Sequence, residues 1–179
     1  QMQELSHDQV RDLVVDGRAE EDDSFVEEAS ESVRNTGGTV GETARDTVLG
    51  ICGAPRYYSD HPLRAVLAAC EQIQRAAQLH AGLYREGKEL PPCSCGIWTG
   101  DALVGVFGTS IWQRYTAIGA PLDLAARLSD LARPGEAILP EHTLTHLLRT
   151  LPEGWQHIRA ESEHEPDSSD IDWAEMEIS

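Results

Sequence analysis

Nowhere in this chain do roughly 18 apolar residues follow one another, the length a membrane-crossing helix needs, so no segment is expected to span a bilayer. The amino terminus has no basic stretch followed by an apolar one, so no secretory signal is expected either. Cysteines are few: four, at positions 52, 70, 93 and 95. Their spacing fits no disulfide scaffold, and Cys93 and Cys95 would share one face of a strand, a poor geometry for a bridge. Reduced thiols in a cytoplasmic protein are the simplest account. Phosphate-cradling glycine motifs are missing as well: neither GxxxxGK(S/T) nor GxGxxG occurs, and no internal repeat is evident.

Positive charge is also in short supply. The 179 residues carry a formal net charge of −17, but not evenly. Residues 16–31 hold eight acids and one arginine, and residues 161–179 hold eight acids and no base, whereas twelve acids and twelve bases cancel over residues 32–160. The acidity therefore belongs to two peripheral stretches around a neutral core, and it argues against a nucleic-acid partner. A solvated linker and tail is the plainer reading of both stretches. The length leaves room for one domain, residues 1–179, with a sizeable core.

Along the chain, Ser6-His7-Asp8-Gln9 has the form of a capping box. It predicts a short helix with Leu5, Val10, Leu13 and Val14 inward, broken at Asp16-Gly17. A second helix follows the acidic run 20–23, with Phe25, Ala29 and Val33 at four-residue spacing, and ends at Asn35-Thr36-Gly37-Gly38. Residues 39–44 and 47–52 read as a hairpin turning at Arg45-Asp46. A long helix is predicted over 62–86, its inward face built from Leu63, Val66, Leu67, Cys70, Ile73, Ala77 and Leu79. Residues 96–99 and 102–107 read as a second hairpin turning at Gly100-Asp101, since both residues tolerate positive φ. After the segment 115–119 comes an amphipathic helix over 121–132 with Leu122, Ala125, Leu128, Leu131 and Ala132 on one face. Arg133-Pro134-Gly135 stops it. A strand at 137–139, a helix over 141–151 and two last strands at 155–160 and 171–178, joined by an acidic loop at 161–170, complete the reading. His142 and His146, four apart on a helix, have a spacing that suits zinc. They lack a third ligand, and a solvent-facing pair is the favoured reading. Trp98 and Trp112 read as core or interface.

Three blocks, GIWTGDALVGVFG, RYTAIGAPLDLAARL and ARPGEAIL, in this order resemble the class III adenylate/guanylate cyclase catalytic domain, the cyclase homology domain. The resemblance implies an α+β, ferredoxin-like sandwich: an antiparallel-rich sheet with helices packed on one side. It implies conversion of a nucleoside triphosphate, ATP or GTP, to a 3′,5′-cyclic nucleotide and pyrophosphate, with Mg2+ or Mn2+ held by two aspartates. It further implies a homodimer or heterodimer with another cyclase-type domain, whose active site takes its carboxylates from one subunit and its asparagine and arginine from the other.

By resemblance, Asp46 takes the second metal-aspartate position, although Arg45 precedes it where the family has glycine; a plain turn carboxylate is the other reading. Glu42 stands where purine-selecting members carry lysine, and Thr116 at the other base-reading position. Asp123 replaces the asparagine that orients the ribose. Arg127 keeps the transition-state arginine, with a salt bridge to Asp123 or Asp130 as the other reading. The family's first strand, which ends in the first metal aspartate, is expected to be missing, because Gln1-Met2-Gln3-Glu4-Leu5 already reads as the first helix. Either upstream sequence is lacking or the domain is degenerate. The late phosphate-binding lysine is absent from ESEHEPDSSD. The expectation is a degenerate cyclase domain acting as a regulatory or dimerisation module; the alternative is an active adenylate cyclase whose metal-binding strand lies upstream.

Overall fold

A computed structural model of the chain describes residues 10–17, 23–44, 47–85, 93–111 and 113–151. The elements run β1 (Val10–Gly17), α1 (Asp23–Asn35), β2 (Thr39–Ala44), β3 (Thr47–Cys52), α2 (His61–Arg85), β4 (Cys93–Gly108), β5 (Gln113–Ile118), α3 (Ala120–Leu131), β6 (Ala137–Ile138) and α4 (Glu141–Thr150). The strands form a sheet in the order β2-β3-β1-β4-β5, with β6 added parallel to β4. This is the mixed, antiparallel-rich α+β architecture expected from the sequence. The capping box at 6–9, the two last strands and the acidic loop at 161–170 lie outside the described residues.

The first strand is present, which corrects two expectations together: Val10–Gly17 is neither a helix nor a gap. It is antiparallel to β3 on one side, from Arg11 opposite Cys52 to Asp16 opposite Thr47. On the other side it is antiparallel to β4, from Val10 opposite Ala102 to Gly17 opposite Cys93. Three valines with Leu13 suit an extended, pleated surface better than a helix. A strand flanked on both sides reads as a continuous apolar run, and a run as short as Leu13-Val14-Val15 fits either period.

The second predicted hairpin is also corrected. Residues 93–108 are one continuous strand, and the hairpin is β4–β5, from Leu103 opposite Ile118 to Gly108 opposite Gln113. Between Trp98 opposite Asp12 and Ala102 opposite Val10 the register slips, so Gly100-Asp101 lies in a bulge rather than a turn. A glycine inside a strand commonly marks such a site. Below the bulge β4 pairs with β1 and β6; above it β4 pairs again with β1, at Ala102, and with β5. The 39–44/47–52 hairpin is as expected.

Helices cover both faces of the sheet, not one. Along β3, Val48 and Cys52 pack with Phe25 and Ala29 of α1 and Ala65, Ala68 and Ala69 of α2. The alternate residues Leu49 and Ile51 pack instead with Ala125 of α3 and Ala117 of β5. Successive strand side chains point to opposite faces, so α1 and α2 lie on one face and α3 on the other. The expected inward face of α1 holds: Phe25, Ala29 and Val33 are buried. Its carboxyl end is closed by Gly37 at φ 80°, with the Gly37 and Gly38 amides donating to the Arg34 and Val33 carbonyls.

The inward face of α2 is rotated from the expected one. His61, Ala65, Ala68, Ala69 and Gln72 are buried, and Val66 and Ile73 pack against the core as expected, whereas Leu67 is half exposed and Cys70 lies on the surface. Small residues let the helix approach the strands closely, as the Cys95 Sγ to Ala69 carbonyl contact indicates. On α3, Ala125 and Leu128 face inward as expected, but Pro121 and Ser129 complete that face and Leu131 is exposed.

Candidate functional site

The two halves of the resemblance-derived site fall on different parts of the fold. The carboxylate half gathers at one end of β1 and β3. Asp16, near the end of β1, stands opposite Thr47, the residue that follows Asp46 in the chain. Asp46 itself lies outside the described residues, but its neighbour's register brings Asp16 to the same end of the strand pair. Asp16 was missed by sequence reasoning, and a signal for it existed. Leu13-Val14-Val15-Asp16 is an apolar strand ending in an aspartate, the pattern thought to be missing. Aspartates are the residue type that suits a hard divalent cation which keeps water and phosphate oxygens as its other ligands. Among the described residues no three His, Cys, Asp or Glu side chains gather into a further metal site.

The other half sits on α3. Gly119, at φ 147°, turns the chain from β5 into this helix, and Pro121 falls in its first turn, where the missing amide proton costs nothing. Asp123 also lies in that first turn, where a carboxylate suits the helix dipole. Pro121, Ala125, Leu128 and Ser129 face the sheet; Asp123, Arg127 and Asp130 are exposed on the opposite side. Asp123 and Arg127 therefore share one outward stripe, one turn apart. Among the described residues Arg127 forms no ion pair, so the intrahelical bridge to Asp123 or Asp130 is not made.

Thr116 lies on β5 opposite Gly105, buried, its hydroxyl near the Ala117 carbonyl at 3.5 Å. Glu42 lies in β2, where the register with β3 slips between Val40 and Thr43. β2 and β5 stand far apart in strand order, yet β5 curls back against β2, so the segments bearing Glu42 and Thr116 are neighbours. Beside Thr116, Tyr115 is half-buried and its phenol is pushed above the ordinary range by that burial.

α3 is held unusually close to the sheet. A Cβ placed on Gly96 would collide with the Ala125 carbonyl oxygen and stand 2.5 Å from the Ser129 amide nitrogen. The Ser94 hydroxyl donates to the Ser129 carbonyl at 3.1 Å on the same seam. Glycine at 96 therefore sets the depth of the helix that carries Asp123 and Arg127.

His142 is not simply solvent-facing. Its Nε2 donates to the Thr99 carbonyl at 2.9 Å, and its ring meets the Trp98 indole edge-on at 4.5 Å between centroids. No helix among the described residues is long and apolar enough to cross a membrane.

No family model matches the chain. Uncharacterized protein Rv1320c of Mycobacterium tuberculosis is 32% identical over 118 residues, 64% of this chain and 19% of that protein. A second uncharacterized protein of that organism, Rv1319c, is 34% identical over 104 residues, 57% of this chain and 18% of that protein. The chain thus spans about a fifth of the length of the curated relatives it matches. Among solved structures, the guanylyl cyclase Cya2 superposes with a TM-score of 0.70 at 23% identity, covering 80% of this chain and 81% of that one. The adenylyl cyclase CyaB from P. aeruginosa gives 0.68 at 24% identity, covering 78% and 81%. The guanylate cyclase domain of RhGC from Catenaria anguillulae, solved with GTP, gives 0.63 at 19%, covering 79% and 82%. With its first strand in place and helices on both faces of the sheet, the chain has the fold of the class III adenylyl/guanylyl cyclase catalytic domain.

Proposed function

We propose that this chain is a class III cyclase-type signalling domain that works by pairing with a second cyclase-type domain, and that it does not turn over nucleotide alone. The observation that carries this reading is the outward stripe on α3. Asp123 and Arg127 face away from the sheet whose strand β1 carries Asp16 opposite Thr47 of β3, so a site using both halves needs two chains.

In such a site Asp16 and Asp46 would hold Mg2+ or Mn2+, which when bound offsets phosphate charge and eases loss of the 3′-hydroxyl proton. Arg127 stabilises charge that grows on the α-phosphate oxygens, a role that needs a fixed donor free of competing carboxylates. That Arg127 forms no ion pair among the described residues fits that role. Thr116 offers a hydroxyl toward the base. Asp123 and Glu42 oppose the substrate: each carboxylate within about 4–6 Å of a polyphosphate costs on the order of 1–3 kcal/mol. The chain thus combines an intact carboxylate half with an arginine half burdened by two acids. It fits best as the metal-binding member of a heterodimer whose partner supplies asparagine and lysine.

One observation favours a second reading, an active adenylate cyclase: β1 is present, so the first aspartate is not missing. A turnover assay separates the two. The full chain is given ATP or GTP with Mg2+ or Mn2+, alone and mixed with a cyclase-type domain stripped of its own two metal aspartates. Product only in the mixture, abolished by Asp16→Asn, is the expected result. Product from the chain alone establishes the second reading, and no product from any mixture overturns the pairing.

A further inference from the structure

The bulge in β4 leaves Thr99 without a ladder partner on β1, β5 or β6. A buried backbone amide and carbonyl in that position must find partners elsewhere. Both are taken by the first turn of α4. The Thr99 amide donates to the Thr143 hydroxyl at 3.0 Å, and the Thr99 carbonyl accepts from His142 Nε2 at 2.9 Å. Thr143 is fully buried and Thr99 is 6% exposed. The same His142 nitrogen lies 3.4 Å from the Thr143 hydroxyl, and the imidazole packs edge-on against Trp98, the last residue of β4 paired with β1 before the slip. Two adjacent α4 side chains thus grip both polar groups of one bulge residue.

We propose that His142 and Thr143 form a latch that fixes the bend in β4, so that α4 sets the orientation of the β4–β5 hairpin and of Thr116 upon it. At the bulge β4 keeps β1 on one edge, where Ala102 resumes the pairing with Val10, while on the other edge β6 gives way to β5, and so the hairpin's direction is decided there. α4 leans in turn on α2, which gives the latch a second attachment in the core. With both bonds made, the bend has one setting; with α4 displaced, the Thr99 groups are unpaired and the hairpin is released. The latch is independent of the nucleotide chemistry proposed above, and its test reads backbone exchange rather than turnover.

The test is amide hydrogen exchange on the full chain carrying Thr143→Val, Thr143→Ser, His142→Phe or His142→Gln. Thr143→Val keeps the shape and removes the acceptor. It is expected to speed exchange roughly tenfold or more at Thr99 and across β5, as loss of a buried bond implies, while β3 keeps its wild-type rate. Thr143→Ser restores the acceptor and the protection. The exposed His142 gives variants that spare the core: His142→Phe keeps the ring against Trp98 but releases the hairpin, and His142→Gln, retaining an amide donor, restores most protection. Equal acceleration in β3 and β5 overturns the latch in favour of general destabilisation. An unchanged β5 rate in both Thr143→Val and His142→Phe overturns the coupling itself.

Discussion

Replacing Gly96 with alanine adds a single methyl group at the point where α3 rests on β4. The new carbon would overlap the Ala125 carbonyl oxygen and lie 2.5 Å from the Ser129 nitrogen, against roughly 3.4 Å for ordinary contact. Both neighbours are backbone atoms in the middle of a helix, so no rotamer change relieves the clash; α3 must retreat by about an ångström. Overpacking of this kind costs about 1–3 kcal/mol, and the rigidity of both partners places this case at the upper end. Retreat also loosens Ala125 and Leu128 in the core. A loss near 3 kcal/mol corresponds to a melting temperature lower by about 6–12 °C for a chain of this size. The assay is urea unfolding followed by circular dichroism, where the midpoint should fall while the slope stays constant. Gly82→Ala is the control: it lies exposed in α2 with no atom near its missing Cβ, so the same methyl should stabilise by about 0.5–1 kcal/mol. A Gly96→Ala protein within about 0.5 kcal/mol of the parent would refute the close seating of α3 and, with it, the placement of Asp123 and Arg127.

The elements legible in the sequence were those whose partners are near in the chain or whose period is sustained. The 39–44/47–52 hairpin, the four-residue spacing of Phe25, Ala29 and Val33, and the bounds of the helices after them all fall in this group. The errors share a cause: each was decided by a contact distant in sequence. Leu13-Val14-Val15 satisfies a helix or a strand, and what selects the strand is the slot between β3 and β4, whose paired residues lie 31 to 92 positions away. Gly100-Asp101 suits a turn or a bulge, and what selects the bulge is the continued pairing of β4 on both sides of it. On α2 the largest apolar residues read as the inward face. The sheet instead required the smallest, leaving Leu67 at 50% exposure.

The site was legible as residue types and illegible as geometry. Resemblance gave Thr116, Asp123 and Arg127 their positions, and the apolar period of 121–132 left the last two off its inward face, but nothing local told which face of the sheet that helix covers. That follows from which α3 residues meet Gly96 and the β3 side chains. Asp16 shows the converse: its pattern stood in the sequence, hidden by the helix assigned over it. One misassigned strand thus hid a strand-end aspartate from the reading and made the fold look less complete than it is.

Three further outcomes are expected. Arg75 on α2 bridges Glu28 and Glu31 of α1 and Glu71 of its own helix, and the Glu28 carboxylate, first among the three, holds its pKa above the ordinary arginine value. Arg75→Met should lower the unfolding midpoint by leaving three carboxylates together, and added salt should narrow the difference; a gap that widens with salt would exclude a charge origin. Asp60 is held below its ordinary pKa of 3.8 by the Arg64 guanidinium at 2.8 Å. A depressed carboxylate stabilises the fold above its unfolded pKa, and that contribution fades as pH falls through the lower folded value. The stability gap between the parent and Arg64→Met, measured by urea unfolding, should therefore be full at neutral pH and shrink below about pH 3.8, and a gap that grows on acidification would reverse the assignment. The last outcome concerns charge at the proposed site. Glu42→Lys with Asp123→Asn changes the local charge by three units without touching Asp16 or Asp46. If those two acids are what disfavours a polyphosphate, at about 1–3 kcal/mol each, the double variant should bind ATP with Mg2+ at least tenfold more tightly by calorimetry. Adding Asp16→Asn should then remove most of the metal-dependent part of that gain while leaving metal-free binding as it was. Equal affinity in parent and double variant would mean that Glu42 and Asp123 do not face the nucleotide. A gain insensitive to Asp16→Asn would separate the β1 carboxylate from the metal.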